Sequence, residues 1–371
     1  MRRSIHKTKG KSLLVGQMPA GCKMCAVGSK LVLFVTGLCD SACFYCPLSQ
    51  DKAGTDVVFA DEMPVHNDND ILEELEAIGA EGAGFSGGDP LCRIQRTLGY
   101  ISLLKDSQGD DFHIHLYTSQ SDADKQHIKN LHEAGLDEIR FHPMNDNWLA
   151  IETAVSLGMN VGIEVPAIPG EIESLKKTAM RAEAMGVSFL NINELESSET
   201  NFESLSSLGL RLRNMDSASI AGSVELADEF IKWSAKELET ISVHYCSAHF
   251  KDAIQMRNRL ERRLERTTRE FEERADDDPL LILGVIRAPF GEELDNEMLY
   301  QIRDVLESQF DVPSNQLNID LPRRRIEIAG WILAEIVQDL KSSVKNGDTL
   351  EIGIAHEYPS WGRLQTFFDP L

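Results

Sequence analysis

Short apolar runs alternate with amphipathic helical segments between residues 30 and 248. Two of these helices are predicted at Asn69–Ile78 and around Arg93–Leu104, where apolar residues recur at helical spacing. Strands that alternate with helices form a parallel sheet with covering helices. Seven runs are predicted as strands: Leu31–Thr36, Gly82–Phe85, Phe112–Tyr117, Glu138–Phe141, Asn160–Val165, Ser188–Ile192 and Ser242–Tyr245. We therefore predict an α/β fold, a partial TIM-like (β/α)6–7 barrel that is one strand short of closure.

The segment after the last of these strands is rich in arginine. An apolar stripe at helical spacing predicts one long charged helix over His249–Ala275. Three aspartates and a proline, Asp276–Pro279, then interrupt the pattern and indicate a domain boundary.

Residues 279–371 predict a second, smaller domain. Its elements are strand Leu280–Arg287, helix Glu292–Gln309, strand Leu317–Asp320, strand Arg325–Ile328, helix Trp331–Leu340 and strand Leu350–Ala355. This βαββαβ order is typical of an α+β ferredoxin-like sandwich. The predicted organisation is an N-terminal segment with a C-x2-C pair (1–29), a barrel (30–248), a charged connecting helix (249–278) and a C-terminal domain (279–371).

Composition and charge narrow the classes of function. The net charge of −23 is unfavourable for a protein that binds by neutralising phosphates, so nucleic acid is not a favoured partner. The longest apolar stretch, Leu31–Val35, is far shorter than the roughly 20 residues of a membrane-spanning helix. The basic start Met1–Lys11 is followed by a polar, cysteine-bearing stretch without a cleavage site. We expect a cytoplasmic protein that does not contact membranes.

The loop after the first predicted strand contains Cys39, Cys43 and Cys46, spaced C-x3-C-x2-C. Five of the seven cysteines lie between Cys22 and Cys46, which favours metal ligation over disulfides. Three local cysteines can bind three corners of a [4Fe–4S] cluster and leave the fourth iron open to a small molecule. A zinc site is the alternative, because Cys22 and Cys25 form a second C-x2-C pair. The position directly after a buried strand of an α/β unit favours the cluster.

A glycine motif, Ser86–Pro90, follows the second predicted strand. Together with the cysteine loop it resembles the radical S-adenosylmethionine (SAM) superfamily, across about Cys22–Ser247. The motif matches the family's glycine-glycine-glutamate-proline element, with Asp89 in place of the usual glutamate. Within the superfamily, the chain is similar to archaeal proteins related to pyruvate formate-lyase activating enzymes. The resemblance implies a radical SAM barrel whose cysteine triad binds the cluster, and reductive SAM cleavage to a 5′-deoxyadenosyl radical that abstracts hydrogen from substrate.

The resemblance also implies which residues bind SAM. The tyrosine of the cysteine loop would lie against the adenine, the glycine motif would contact the amino group, and a serine or glutamate would contact the ribose. Adjacent glycines at a strand end let the backbone approach a ligand closely. A plain strand-to-helix turn and polar residues at a barrel rim are the alternative interpretations. The SAM-binding candidates are Tyr45, Gly87, Gly88, Asp89, Ser119 and Glu164.

Four cysteines lie outside the triad. Cys22 and Cys25 fall in a predicted turn before the first strand, and Cys246 ends the last barrel strand. We predict that these three could hold an auxiliary iron–sulfur cluster, its fourth iron open to substrate or closed by Cys92. A structural zinc or unrelated buried thiols are the alternatives.

The start of the arginine-rich segment offers a further candidate site. Lys251 and Gln255 share one helix face, flanked by Arg257 and Arg259. Such a group could bind a carboxylate or phosphate, whereas a solvated helix face is the alternative.

These observations predict an activase-like radical SAM oxidoreductase. The expected substrate is a protein or peptide, and the expected reductant is ferredoxin or flavodoxin. A radical SAM RNA-modifying enzyme is one alternative, with Arg2–Lys11 and Arg323–Arg325 as local phosphate contacts. A non-catalytic iron–sulfur redox sensor is another, although a sensor would have no need of a SAM pocket.

Overall fold

The computed structural model describes residues 2–344 and 347–371. The chain divides into two units, Met1–Arg259 and Leu260–Leu371. Among the described residues, no helix is both long and apolar enough to cross a membrane.

A mixed sheet with a parallel centre organises the described part of the first unit. Its strands are β1 (Ile5–Lys7), β2 (Leu13–Val15), β3 (Lys30–Phe34), β4 (Phe59–Ala60), β5 (Met63–Pro64), β6 (Gly82–Ser86), β7 (His113–Thr118), β8 (Glu138–Phe141), β9 (Asn160–Ala167), β10 (Phe189–Glu194) and β11 (Ser242–Cys246). Their order is β1-β2-β11-β10-β9-β8-β7-β6-β3-β4-β5. The run from β3 through β6 to β11 is parallel throughout and matches the seven predicted strands, which confirms the parallel α/β sheet.

The barrel is open because β3 and β11 do not pair with each other. β3 pairs with β4 and β11 pairs with β2, both antiparallel. The first unit's helices are α1 (Ala20–Val27), α2 (Asp68–Ile78), α3 (Ile94–Gln108), α4 (Lys125–Glu133), α5 (Leu149–Ser156), α6 (Ile172–Ala184), α7 (Phe202–Ser207) and α8 (Ser223–Glu237). Apolar residues of the sheet and covering helices, such as Leu33, Ile71 and Ile101, form one core. Local sequence sets the helix ends: a capping box of Asn67 and Asp70 begins α2, and Gly79 in a left-handed conformation ends it.

The N-terminal segment contributes two strands and a helix to the first unit. β1 and β2 form a hairpin that extends the sheet beyond β11. The C-x2-C pair lies on helix α1, not in the predicted turn, and α1 packs against β3, β6 and β7. Two glycines permit this close packing. A Cβ atom on Gly21 would lie 2.6 Å from Nη2 of Arg140, and one on Gly82 would lie 2.5 Å from the sulfur of Met24.

The predicted helix over His249–Ala275 is wrong in its last eight residues, 268–275. A π-helical stretch, Phe250–Met256, leads into α9 (Arg257–Thr267), and the helix ends there. Arg274 then donates to the carbonyl of Leu264 at 2.9 Å. Phe271 belongs to the core of the second unit, so its apolar position marks a separate packing site and not a continued helix stripe. The connecting helix (249–278) is correspondingly shorter than predicted.

The second unit contains an antiparallel sheet with two further helices. Its strands are β12 (Glu273–Arg274), β13 (Leu281–Arg287), β14 (Leu317–Asp320), β15 (Arg325–Ile328), β16 (Glu351–Glu357) and β17 (Gln365–Pro370), and its helices are α10 (Asn296–Gln309) and α11 (Gly330–Ser343). The strand order is β14-β15-β13-β16-β17, with β12 beside β13. The six predicted elements occur in the predicted order, and β12 and β17 are additions. Assignment to the ferredoxin-like class stays a prediction.

Candidate functional site

A cavity of about 690 Å³ lies within the first unit, lined by the carboxyl ends of the parallel strands and by residues inside the barrel. Both predicted cysteine sets line it: Cys39, Cys43 and Cys46, and Cys22, Cys25 and Cys246. Five of the six SAM-binding candidates line it too: Tyr45, Gly87, Gly88, Ser119 and Glu164. The structure therefore brings into one cavity residues that are up to 224 positions apart in sequence, from Cys22 to Cys246.

The cysteine triad lies on a closed loop after β3. The loop is joined at its base by hydrogen bonds from the amide of Gly37 to the carbonyl of Thr55 and from the amide of Gly54 to the carbonyl of Gly37, both 2.9 Å. Cys39 and Cys46 are exposed, whereas Cys43 is half-buried. Burial raises the pKa of the Cys43 thiol, and the neighbouring Cys39 and Cys46 thiols raise it further. The three thiols thus lie close enough to interact and form no disulfides.

The glycine motif packs against the backbone of this cysteine loop. The amide of Gly88 donates to the carbonyl of Thr36, and the amide of Asp89 donates to the carbonyl of Leu38, both at 2.7 Å. Gly87 has a φ of +143°, and a Cβ atom on Gly88 would lie 2.3 Å from the Leu38 oxygen. The glycines are therefore required for close contact between two loops, which is a different reason from the predicted approach of a ligand.

Asp89 is buried and does not line the cavity. Its carboxylate accepts hydrogen bonds from the amides of Leu91 and Ser119 at 3.0 and 2.9 Å. It also accepts from the hydroxyls of Thr118 and Ser119 at 3.0 and 2.8 Å. Asp89 thus connects the glycine motif to the end of β7. These hydrogen bonds give Asp89 a positioning role, and its predicted contact with SAM stays a prediction.

Tyr45 forms part of the cavity wall together with His142. Its hydroxyl is hydrogen-bonded to Nε2 of His142, and Nδ1 of His142 lies 2.8 Å from the carbonyl oxygen of Glu164. Because a carbonyl only accepts, Nδ1 carries the hydrogen and Nε2 accepts from the tyrosine. Burial lowers the pKa of His142, which is consistent with a neutral ring. The two side chains therefore hold each other in a fixed orientation.

A layer of buried polar side chains lines the interior of the barrel, and the sequence reasoning missed most of it. Arg140 donates to the carboxylates of Glu138 and Glu164 at 2.6 and 3.1 Å and to the hydroxyl of Tyr117 at 3.0 Å. Glu164 also accepts from Asn191 at 3.0 Å, so its carboxylate is largely engaged within the barrel. Parallel strands buried on both faces are usually almost continuously apolar. The polar residues at alternate positions of β7, β8 and β10 were the available signal.

Two of the four predicted anion-binding residues line the cavity, Lys251 and Gln255. Burial opposes the charge of Lys251, but Glu196, with which it forms an ion pair, and Cys246 raise its pKa. Arg259 lies elsewhere, in ion pairs with Asp61 at 2.5 Å and with Glu62.

Two other candidates lie outside the cavity lining. Arg257 is exposed. The sulfur of Cys92 lies 3.8 Å from Oδ2 of Asp40 and 3.7 Å from Nε2 of Gln120. The structure therefore places neither residue with the groups they were predicted to join.

Comparison with known proteins identifies relatives of this chain. The family model described as the radical SAM superfamily matches residues 33–182. A protein of Methanocaldococcus jannaschii, named "putative glycyl-radical enzyme activating enzyme", is 34% identical over 369 residues, which cover 96% of this chain and 93% of that protein. The match with SuiB of Streptococcus suis, solved with S-adenosylmethionine, covers 60% of this chain and 51% of the SuiB chain. The two share 10% sequence identity, with a TM-score of 0.43. The match with coproporphyrinogen III oxidase (HemN) of Escherichia coli covers 59% of this chain and 56% of the HemN chain. The two share 13% sequence identity, with a TM-score of 0.37. This chain thus spans about half the length of both solved structures.

Proposed function

This chain belongs to the radical SAM superfamily, and on that premise we propose that it is an activating enzyme that abstracts a hydrogen atom from a partner protein. Enzymes of this family bind a [4Fe–4S] cluster and SAM. We assign the cluster to Cys39, Cys43 and Cys46. The observation that carries the assignment is that this triad and most of the SAM-binding candidates line one cavity.

The residues of the cavity suit this cofactor pair. Three free thiols on one loop match the three protein ligands of a cluster with an open iron. A volume of about 690 Å³ is in the range of small-molecule sites. When bound, the cluster supplies the electron that cleaves SAM to a 5′-deoxyadenosyl radical.

The chain's own residues position the cofactors and exclude water. Gly87 and Gly88 present backbone at the cavity wall, and Asp89 fixes that backbone from behind. Tyr45, held by His142, offers an aromatic surface for the adenine. The hydroxyls of Ser119 and Ser41 are joined at 2.8 Å, which connects the cysteine loop to the end of β7 beside the position proposed for the ribose. Glu164 would contact the ribose only through the part of its carboxylate that remains accessible.

The proposed substrate class follows from the full-length relative. That protein is named as an activating enzyme for a glycyl-radical enzyme, and the match extends over nearly all of both chains. We propose a glycine residue of a partner protein as the hydrogen donor, with ferredoxin or flavodoxin as reductant. The second unit, interpreted as a ferredoxin-like domain, would recognise the partner. A reducing cytoplasm is the compartment in which free thiols and iron–sulfur clusters persist.

The structure offers little support for RNA as the substrate. Arg325 is buried and donates to Asp320, Glu327 and Glu357. Arg323 is hydrogen-bonded to Asp320 at 3.1 Å. Two of the three arginines in the Arg323–Arg325 run are thus paired with carboxylates.

The proposal is tested by anaerobic reconstitution followed by incubation with SAM and dithionite. We expect 5′-deoxyadenosine from the wild-type protein and none from the Cys46→Ala variant. Cys92→Ala is the matched control, because Cys92 lies outside the cavity lining and should leave SAM cleavage unchanged. An iron-loaded wild-type protein that forms no 5′-deoxyadenosine would favour the redox-sensor alternative. Fractions of cell extract that stimulate SAM cleavage would then lead to the partner protein, whose glycyl radical is detectable by electron paramagnetic resonance.

A further inference from the structure

Helix α1 places two cysteines at the inner wall of the cavity, away from the triad loop. Cys22 and Cys25 are both buried and free, and both line the cavity. The sulfur of Cys22 lies 3.5 Å from Nη2 of Arg140 and 3.4 Å from Nδ2 of Asn191. These donors come from β8 and β10, the two strands that flank β9, so Cys22 lies on the inner face of the barrel.

Strand β11 brings two further potential metal ligands beside Cys22. Asn191 is paired in register with His244, and Asn193 is paired with Cys246. His244 and Cys246 are two positions apart on one strand, so both side chains point to the same face. The register thus places His244 beside Asn191, the residue that contacts Cys22, and Cys246 one step further towards the carboxyl ends of the strands.

His244 is buried without a partner. It is 1% exposed and lines the cavity. Within residues 2–344 and 347–371, neither of its ring nitrogens has a hydrogen-bond partner. A buried polar group without a hydrogen bond costs free energy, so an orphaned imidazole that faces a cavity indicates a ligand.

Lys30 places a buried positive charge at this wall. Its ammonium group is buried, lines the cavity and lies 3.2 Å from Nε2 of His115. A buried charge needs a compensating charge. A metal-bound thiolate at Cys25 would supply it.

We propose that Cys22, Cys25, His244 and Cys246 hold a second iron–sulfur cluster at the inner wall of the cavity, with His244 as its fourth protein ligand. This site is separate from the proposed SAM cluster, and it excludes Cys92, which lies outside the cavity lining. In the described residues, no three His, Cys, Asp or Glu side chains converge closely enough to hold a single metal ion. A four-iron cube binds each ligand at a different iron and so takes ligands from a wider ring.

The number of clusters is tested by iron and sulfide analysis after anaerobic reconstitution with ferrous iron and sulfide. Two four-iron clusters give about eight irons per chain in the wild-type protein. The Cys22→Ser, Cys25→Ser and Cys246→Ser variants should each retain about four, and Cys92→Ser should match the wild type. The triple variant Cys39→Ala/Cys43→Ala/Cys46→Ala should also retain about four irons but should form no 5′-deoxyadenosine.

The role of His244 is tested in that triple variant, where only the second cluster can be present. Pulsed electron paramagnetic resonance of the reduced cluster should detect nitrogen hyperfine coupling. Adding His244→Cys should keep the iron content and abolish the coupling. Absence of iron from the triple variant, bound zinc in its place, or a reduced cluster without nitrogen coupling would each overturn the proposal. Failure of SAM cleavage in a wild-type protein with about eight irons would contradict the proposed function alone.

Discussion

The contact between the glycine motif and the cysteine loop predicts a large effect of one added methyl group. In a Gly88→Ala variant, the new Cβ atom would lie 2.3 Å from the oxygen of Leu38 and 2.7 Å from the oxygen of Gly37. Real Cβ atoms essentially never approach other heavy atoms closer than 3.0 Å. Both neighbours are backbone atoms, so a side-chain rotation cannot relieve the contact. The two loops must move apart by roughly 1 Å to restore normal van der Waals distances.

The size of the effect follows from what that movement breaks. Overpacking a rigid site costs about 1–3 kcal/mol. The separation also lengthens the hydrogen bonds from the amides of residues 88 and 89 to the carbonyls of Thr36 and Leu38, both now 2.7 Å. Each such bond contributes about 1 kcal/mol net. We therefore expect Gly88→Ala to lower the free energy of unfolding of the first unit by about 2–5 kcal/mol. Because Cys39 directly follows Leu38, iron incorporation should fall as well.

The measurement is urea unfolding of the metal-free proteins followed by circular dichroism, with iron content determined separately. Gly99→Ala is the matched control, because Gly99 is exposed in the middle of α3 and a Cβ atom there would meet nothing within 4 Å. That substitution should stabilise the protein by about 0.5–1 kcal/mol, since alanine favours helix more than glycine does. If Gly88→Ala unfolds within about 0.5 kcal/mol of the wild type, the contact between the loops is not the reason for glycine at this position.

Three further substitutions test other parts of the structure. Tyr45→Phe removes the hydroxyl that donates to His142. It should lower the free energy of unfolding by about 1–2 kcal/mol in urea titrations. Equal urea midpoints for the variant and the wild type would contradict the hydrogen bond. Arg259→Ala removes the ion-pair partner of the buried Asp61 carboxylate and should cost about 3–5 kcal/mol. Since burial raises the pKa of Asp61 to about 7, that loss should be larger at pH 8 than at pH 5, and a pH-independent loss would oppose this explanation. Burial raises the pKa of Glu327, but Arg269 and Arg325 lower it from an ordinary 4.5 to about 2. The ionised carboxylate therefore stabilises the fold above pH 4.5, and this stabilisation is lost as the pH falls towards 2. The free energy of unfolding should therefore fall by at most about 3 kcal/mol through this group between pH 5 and pH 2. Glu327→Gln should make the free energy of unfolding less dependent on pH in this range.

The parallel sheet could be predicted because the outer faces of its strands are apolar. Leu31 and Leu33 of the first run are fully buried in the core, as are Ile114 and Leu116 of the third. These positions face the covering helices. Their apolar pattern therefore predicts a strand whether the inward-facing residues are polar or apolar. The two-residue strands β4 and β5 and the hairpin strands β1 and β2 were not predicted. Segments of two or three residues are too short to show any periodicity.

The candidate site was predictable where a motif fixes the position of a side chain, and less so elsewhere. Spacing alone identified the cysteine triad, and Cys246 followed from its place at the end of a strand. Spacing did not reveal that Asp89 faces away from the cavity, because its direction depends on Thr118 and Ser119 of the neighbouring strand. Arg259 was likewise misassigned, because its carboxylate partners lie almost 200 residues earlier in the chain.

The polar interior and the N-terminal C-x2-C pair are two consequences of one arrangement. Barrels of this kind usually fill their interior with branched aliphatic side chains from the strands. Here a helix occupies part of the interior, and it fits because Gly82 carries no side chain towards Met24. The strand positions that remain face the helix thiols and the cavity, and they are hydrogen-bonding residues such as Arg140 and Asn191. A hydrophobic substitution at these positions would leave the sulfur of Cys22 without donors. Polar residues on the inner face of the strands are therefore expected wherever an N-terminal cysteine helix enters an open barrel. Inward-facing polar positions and an N-terminal C-x2-C pair, found in one sequence, predict a helix inside the barrel better than either feature does alone.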